Sequence, residues 1–179
     1  ARVFAADMAG HGEGGLKALG RGQLHNRARL YWYTVEFGLM DTPDGQRIYG
    51  AGIVSSRAES IFALDDPSPN RLGFDLERVM RTPYRIDDFQ QNYFVIPSFD
   101  ELLRVTVETD FAPLYLEIMA EPDITVGAIH ADELVLTCGS PHYARGKRIE
   151  CQNRPPGGLP PVPFLLPPPP PGPNCLGRG

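Results

Sequence analysis

Glu36 is the residue of this chain whose type and setting most clearly suggest chemistry. It lies in LYWYTVEFGL, Leu30 to Leu39, a strongly aromatic stretch with one carboxylate among large apolar side chains. A lone carboxylate on such a surface loses several kcal/mol to desolvation unless it is paired, protonated or bound to a metal. In a helical register Trp32, Tyr33, Leu39 and Met40 stand within one turn of it, and none is a cation. Its partner is therefore expected from another part of the fold. A metal ion is one candidate. A distant arginine, the cation best suited to a buried carboxylate, is the other.

Two histidines and one carboxylate on one face of a metal leave positions open for oxygen and substrate. The histidines here are His11, His25, His130 and His142, and no HxxxH or HExxH pair occurs. If Leu24 to Leu39 is one helix, His25 lies roughly 16 Å from Glu36 at 1.5 Å per residue, too far for two ligands of one ion. His11 sits in a Gly-rich segment, and His130 and His142 lie far along the chain. Spacing alone leaves both readings of Glu36 open. The segment GHGEGG is not a phosphate loop, because no GK[ST] follows it and no strand precedes it.

The elements that would position these residues fit in one domain with a tail, since the chain has 179 residues and 42% apolar side chains. A net charge of −5 argues against a nucleic-acid surface and against a polybasic membrane anchor. No run approaches the roughly 18 apolar residues needed to span a bilayer. No signal peptide is visible, so a cytoplasmic location is the default. The chain begins at Ala1 and reads as an internal piece of something longer. Cys138, Cys151 and Cys175 are odd in number and show no CxxC spacing, so they read as free thiols.

Helical pattern runs from Leu24 to Leu39. TPDG, between apolar flanks in Met40 to Tyr49, predicts a hairpin. Arg57 to Leu64 and Phe74 to Met80 read as short helices, the second with acids early and arginines late. YFVI, Tyr93 to Ile96, is a short strand closed by Pro97. Ser98, with Glu101 three residues on, predicts a capping box for a helix from Phe99 towards Val107. A further helix is expected over Ala112 to Ala120. Eleven of the 19 prolines fall between Pro155 and Pro173, which excludes helix or central sheet there. That stretch reads as disordered or polyproline II, either a ligand for a Pro-binding module or an unstructured, even out-of-frame, extension. The expected division is residues 1–148 as the folded unit and 149–179 as the tail.

ARLYWYTVEFGL, then RIYGAGIVSS, then DDFQQNYFVIPSFDELL occur in an order that closely resembles the pterin-dependent aromatic amino acid hydroxylases, nearest to their compact bacterial members. The likeness runs from about Val3 to about Tyr115 and weakens beyond Glu121. It implies a fold that is mainly α with a few short β-strands, built as a basket around iron and truncated at its N-terminus. It also implies hydroxylation of L-phenylalanine to L-tyrosine with Fe(2+), tetrahydrobiopterin and O2. L-tyrosine or L-tryptophan as substrate, or a non-catalytic remnant acting as an interaction protein, are the alternatives.

By this resemblance Glu36 is the iron-binding carboxylate. Ala28 and Tyr31 line the pterin site, and Trp32 and Phe37 the amino acid side of the pocket. Gly52, Ser55 and Ser56 stand near the substrate, and Ser55 also steadies an iron-bound histidine. Glycine allows close approach, an aromatic ring holds a flat ring, and a hydroxyl fixes imidazole orientation. Read by burial alone, Tyr31, Trp32 and Phe37 are core aromatics, and Ser55 and Ser56 cap the following helix. The family's histidine pair falls just before the segment matched by Val3, so the chain alone is expected to be inactive and to bind iron weakly.

Overall fold

The computed structural model describes residues 21–143. His11, the GHGEGG segment, Cys151, Cys175, the Pro-rich tail and the boundary at 148 lie outside the described residues.

The sheet is built around NYFVI. Aromatic and β-branched residues suit a pleated surface, and Asn92–Ile96 forms a strand (β4) buried along its whole length. Two short parallel strands flank it, Leu39–Met40 (β1) and Asn70–Gly73 (β3). Antiparallel strands close both edges, Arg47–Ile48 (β2) against β1 and Val135–Thr137 (β5) against β3, so the order is β2-β1-β4-β3-β5. Around the sheet lie helices Arg21–Tyr31 (α1), Ala51–Ser55 (α2), Arg57–Leu64 (α3), Leu76–Arg81 (α4), Phe99–Glu108 (α5) and Phe111–Ala120 (α6). One apolar cluster gathers Leu30, Tyr33, Leu72, Val79, Met80 and Phe94. A second gathers Phe37, Leu39, Ile53, Phe62, Tyr93 and Val95. The sheet of α-rich architecture expected from the likeness is present.

Local signals hold where they rest on short-range chemistry. The TPDG hairpin turns at Gly45, whose φ of 95° lies in the left-handed region, and Thr42 Oγ1 donates to the Gly45 carbonyl at 2.6 Å. Ser98 Oγ accepts from the Glu101 N–H at 3.1 Å and starts α5. Only that half of the capping box forms, since the Glu101 carboxylate turns forward to Arg104 at 2.5 Å.

Two expectations are corrected. The helix expected over Leu24 to Leu39 ends at Tyr31, widens into a π-turn at Trp32–Glu36 and gives way to β1. The apolar residues at its end are recruited by β4, which satisfies the backbone of β1. The helix expected from Phe74 starts at Leu76, because Asp75 caps it by accepting from the Arg78 N–H at 2.8 Å. The residues before it, NRLG, form β3.

Buried polar groups organise the fold. Arg71 is 4% exposed and donates to the carbonyls of Ala63 at 2.6 Å and Asp66 at 2.9 Å, closing the C-terminal end of α3. Glu59, 9% exposed, accepts from the Tyr93 hydroxyl at 2.9 Å. Burial raises the Glu59 carboxyl above the ordinary glutamate range, and the Tyr93 hydrogen bond offsets part of that rise. Between the unfolded and folded values the native state holds more protons, so stability falls as pH rises through that window. Glu59→Gln is expected to flatten this dependence, as urea unfolding at a series of pH values from about 4 to 8 will show. An unchanged slope would remove Glu59 as its source.

Candidate functional site

The π-turn sets the geometry around Glu36. Its closing bond runs from the Phe37 N–H to the Trp32 carbonyl at 2.8 Å, a spacing of five residues. This widened turn brings residue i over i+5, so the Tyr31 hydroxyl donates to Glu36 Oε1 at 3.1 Å. The partner of Glu36 is therefore local. The i±3 and i±4 spacing does not reach Tyr31, because it belongs to an ordinary α-helix. Desolvation, followed by the carboxylate beside it, raises the Tyr31 hydroxyl above its ordinary range. Ion pairs among the described residues engage other carboxylates, so the distant arginine does not appear there.

Three glycines let the chain close over this turn. A Cβ on Gly50 would lie 2.4 Å from the Glu36 carbonyl oxygen, and one on Gly38 2.4 Å from that of Thr34. A Cβ on Gly52 would sit 3.0 Å from the Glu36 carbonyl and 3.1 Å from the Phe37 ring. The Tyr49 and Gly50 N–H groups both donate to the Gly38 carbonyl, at 3.2 and 3.0 Å. YGAG thus docks α2 against the backbone that carries Glu36.

The other candidates divide. Phe37 is buried in the second cluster, and its ring stacks on Trp32 at 4.8 Å. Trp32 is half-buried and also stacks on Tyr84, at 4.3 Å and 15°. Tyr84 was absent from the sequence-derived set, because TPYRI carries no signal that its ring returns to a residue 52 positions earlier. Leu24, Ala28 and Tyr31, at i, i+4 and i+7, form an exposed stripe on α1. Ser55 is exposed and its hydroxyl donates to the Gly52 carbonyl at 2.7 Å. Ser56 caps α3 by accepting from the Glu59 N–H at 3.3 Å.

Among the described residues no three His, Cys, Asp or Glu side chains are gathered closely enough to hold a metal ion. His25 is instead engaged at 2.8 Å with Arg29. His130 lines a separate cavity of about 560 Å³ at the C-terminal ends of the parallel strands, with Asp41, Phe74, Arg78 and Glu133. The described residues thus offer single carboxylates, Glu36 among them, and no complete metal centre.

The family profile described as "Biopterin-dependent aromatic amino acid hydroxylase" covers residues 6–111, and the chain belongs to that family. It is 66% identical over 142 residues to the phenylalanine-4-hydroxylase of Caulobacter vibrioides, spanning 79% of this chain and 48% of the relative. To the same enzyme of Chromobacterium violaceum it is 56% identical over 137 residues, 76% of this chain and 46% of the relative. The crystal structure of the Chromobacterium violaceum enzyme bound to cobalt superposes with a TM-score of 0.65 at 58% identity, covering 70% of this chain and 45% of that one. The chain spans about half the length of the curated relatives it matches. Among the described residues no helix is long and apolar enough to cross a membrane.

Proposed function

We propose that this chain forms part of a phenylalanine 4-monooxygenase, in which Glu36 supplies the carboxylate ligand of a ferrous ion. The observation that carries this reading is the π-turn. It places Glu36 half-buried, with one oxygen held by Tyr31 and no competing cation among the described residues. Single-turn π-bulges are rare in helices and frequent at functional sites.

Bound iron and tetrahydropterin together supply the activation of O2. The protein's own residues position and exclude. Tyr31 orients the Glu36 carboxylate through its hydroxyl, and Gly38, Gly50 and Gly52 lock the backbone behind it. The exposed stripe of Leu24, Ala28 and Tyr31 offers an apolar face to a flat pterin ring. Trp32 and Phe37 form the wall on the amino acid side and keep water from the reacting ring. Ser55, at the end of α2, holds a hydroxyl where it can steady an imidazole, and Ser56 acts through the cap it gives α3. Gly52 bears on the substrate side through Phe37, whose ring it lets pack against α2. The two nitrogen ligands must be added from residues other than those described.

The test joins the N-terminal half of the Caulobacter vibrioides relative to this chain at the matched position. It then follows product from L-phenylalanine with ferrous iron, tetrahydrobiopterin and O2. The chimera is expected to form tyrosine and the chain alone to form none. Glu36→Gln in the chimera is expected to lower both activity and iron affinity by more than about 100-fold, beyond the usual effect of groups that only support a ligand. A folded, iron-loaded chimera that hydroxylates only L-tyrosine or L-tryptophan would reassign the substrate. One that turns over none of the three would leave a non-catalytic remnant.

A further inference from the structure

Trp32 stacks on two rings, on Phe37 at 4.8 Å and 21° and on Tyr84 at 4.3 Å and 15°. Phe37 comes from the same turn, but Tyr84 comes from the loop after α4 and is held from both sides. Before it, the Tyr33 hydroxyl donates to the Pro83 carbonyl at 2.7 Å. After it, Gln90, only 1% exposed, makes a reciprocal pair with the Arg85 backbone: Arg85 N–H to Oε1 at 3.1 Å and Nε2 to the Arg85 carbonyl at 2.6 Å. A loop tied at the residues on each side of a ring places that ring deliberately. The Trp32 indole Nε1 is buried without a hydrogen-bond partner among the described residues, where stacking rather than hydrogen bonding holds this side chain in place.

We infer that Tyr84 is a positioning and specificity-determining residue for the aromatic substrate, acting through Trp32. The inference rests on the hydroxylase reading above. Tyr84 presses Trp32 against Phe37, so the three rings make one rigid wall. On this inference, with both stacking partners in place, a substrate ring meets Trp32 at its edge. Edge contact is favourable for a ring meeting a ring, and it is sensitive to the width of the slot beside it. Removing Tyr84 frees one face of the indole and opens a stacking slot. Such a slot favours a larger ring system, so L-tryptophan gains over L-phenylalanine.

The sequence holds a single tryptophan, so emission excited at the red edge, where tyrosine does not absorb, and the tryptophan bands of the near-ultraviolet circular dichroism at the same edge report Trp32. Tyr84→Ala is expected to shift the emission and weaken the aromatic dichroism, and Tyr84→Phe to preserve both, because the ring and not the hydroxyl makes the stack. In the chimera, Tyr84→Ala is expected to raise KM for L-phenylalanine about tenfold, the upper range for one aromatic pair, with kcat changed less than about twofold. The ratio of kcat/KM for L-tryptophan over L-phenylalanine is expected to rise by a similar factor. Tyr84→Phe restores the parent values. Tyr84→Leu serves as the second variant if Tyr84→Ala does not fold. An altered Trp32 spectrum with unchanged KM and unchanged substrate ratio overturns the inference and leaves the hydroxylase reading standing. A loss confined to kcat, or a spectrum that Tyr84→Ala does not alter, also overturns it. An unsubstituted chimera inactive on all three amino acids defeats the hydroxylase reading instead, independently of the spectra.

Discussion

Gly50→Ala is expected to destabilise the fold by about 3 kcal/mol, the upper end for forcing extra atoms into packed structure. Backbone conformation is not the reason, since Gly50 has φ −65° and ψ 127°, open to any residue. Space is the reason. The added Cβ would stand 2.4 Å from the Glu36 carbonyl oxygen, 2.6 Å from the Gly38 nitrogen and 2.7 Å from the Glu36 carbonyl carbon. All three are backbone atoms, so no side chain can swing aside, and either α2 or the π-turn must move. A melting temperature lower by about 10 °C is expected for a chain of this size. In the chimera, iron affinity should fall as well, because the displaced backbone carries the Glu36 side chain. Gly45→Ala is the informative control. Gly45 has a φ of 95° but its nearest neighbour is 3.8 Å from the would-be Cβ. It should lose about 1 kcal/mol through conformation alone and leave iron affinity unchanged. Equal melting of Gly50→Ala and the unsubstituted chain would show that α2 does not rest on Glu36.

Glu133→Leu is expected to cost about 3 to 5 kcal/mol, the usual effect of removing one partner from a buried ion pair. Arg78 and Glu133 are 6% and 12% exposed, with Nε to Oε1 at 2.5 Å. The other guanidinium nitrogens hold Thr82 Oγ1 and the Ala128 carbonyl, both at 2.7 Å, so the cation stays in place when its counter-charge is lost. Urea unfolding measures the difference, and the double variant Arg78→Met with Glu133→Leu should recover much of it, since no buried charge remains. The result bears on more than one pair. Residues 121–143 lie beyond the stretch matched by the family profile, and of them only Ile124 is a buried apolar residue. They are fastened by polar contacts, by β5 and by the Tyr143 ring, which packs on Phe62 and Phe89. Asp123 receives two bonds from Arg29 at 2.6 Å each, and Ile124 N–H reaches the Arg81 carbonyl at 3.0 Å. Arg29 stands on α1, two turns before Glu36, so this strap braces the helix that leads into the site. The Arg29 pair should matter less than the Arg78 pair, because the Asp123 side chain is 58% exposed and water can replace it. A loss below about 0.5 kcal/mol for Glu133→Leu, the level of an ordinary surface change, would mean the strap is not integral.

Family membership was legible in the residues, because three specific motifs occur in order and each reflects a local requirement. The TPDG turn, the Ser98 cap and the YFVI strand were legible for a related reason: their physics acts over a few residues, where the chain order is itself the geometry. Other features depend on contacts between distant segments. NRLG carries no strand pattern of its own, yet it is a strand because β4 and β5 satisfy its backbone and Arg71 finds the end of α3. The YGAG glycines read as permissive, yet they are needed because Glu36 and Gly38 backbone atoms approach from the other side. Tyr84 carried no signal, since its stack on Trp32 exists only after α4 turns the chain back. For Glu36, residue type and neighbours marked a carboxylate that needed a partner. The partner itself, Tyr31, emerged from a π-turn one residue wider per turn than the helical spacing assumes, a choice made by the packing of α2 and β1 and not by the local pattern.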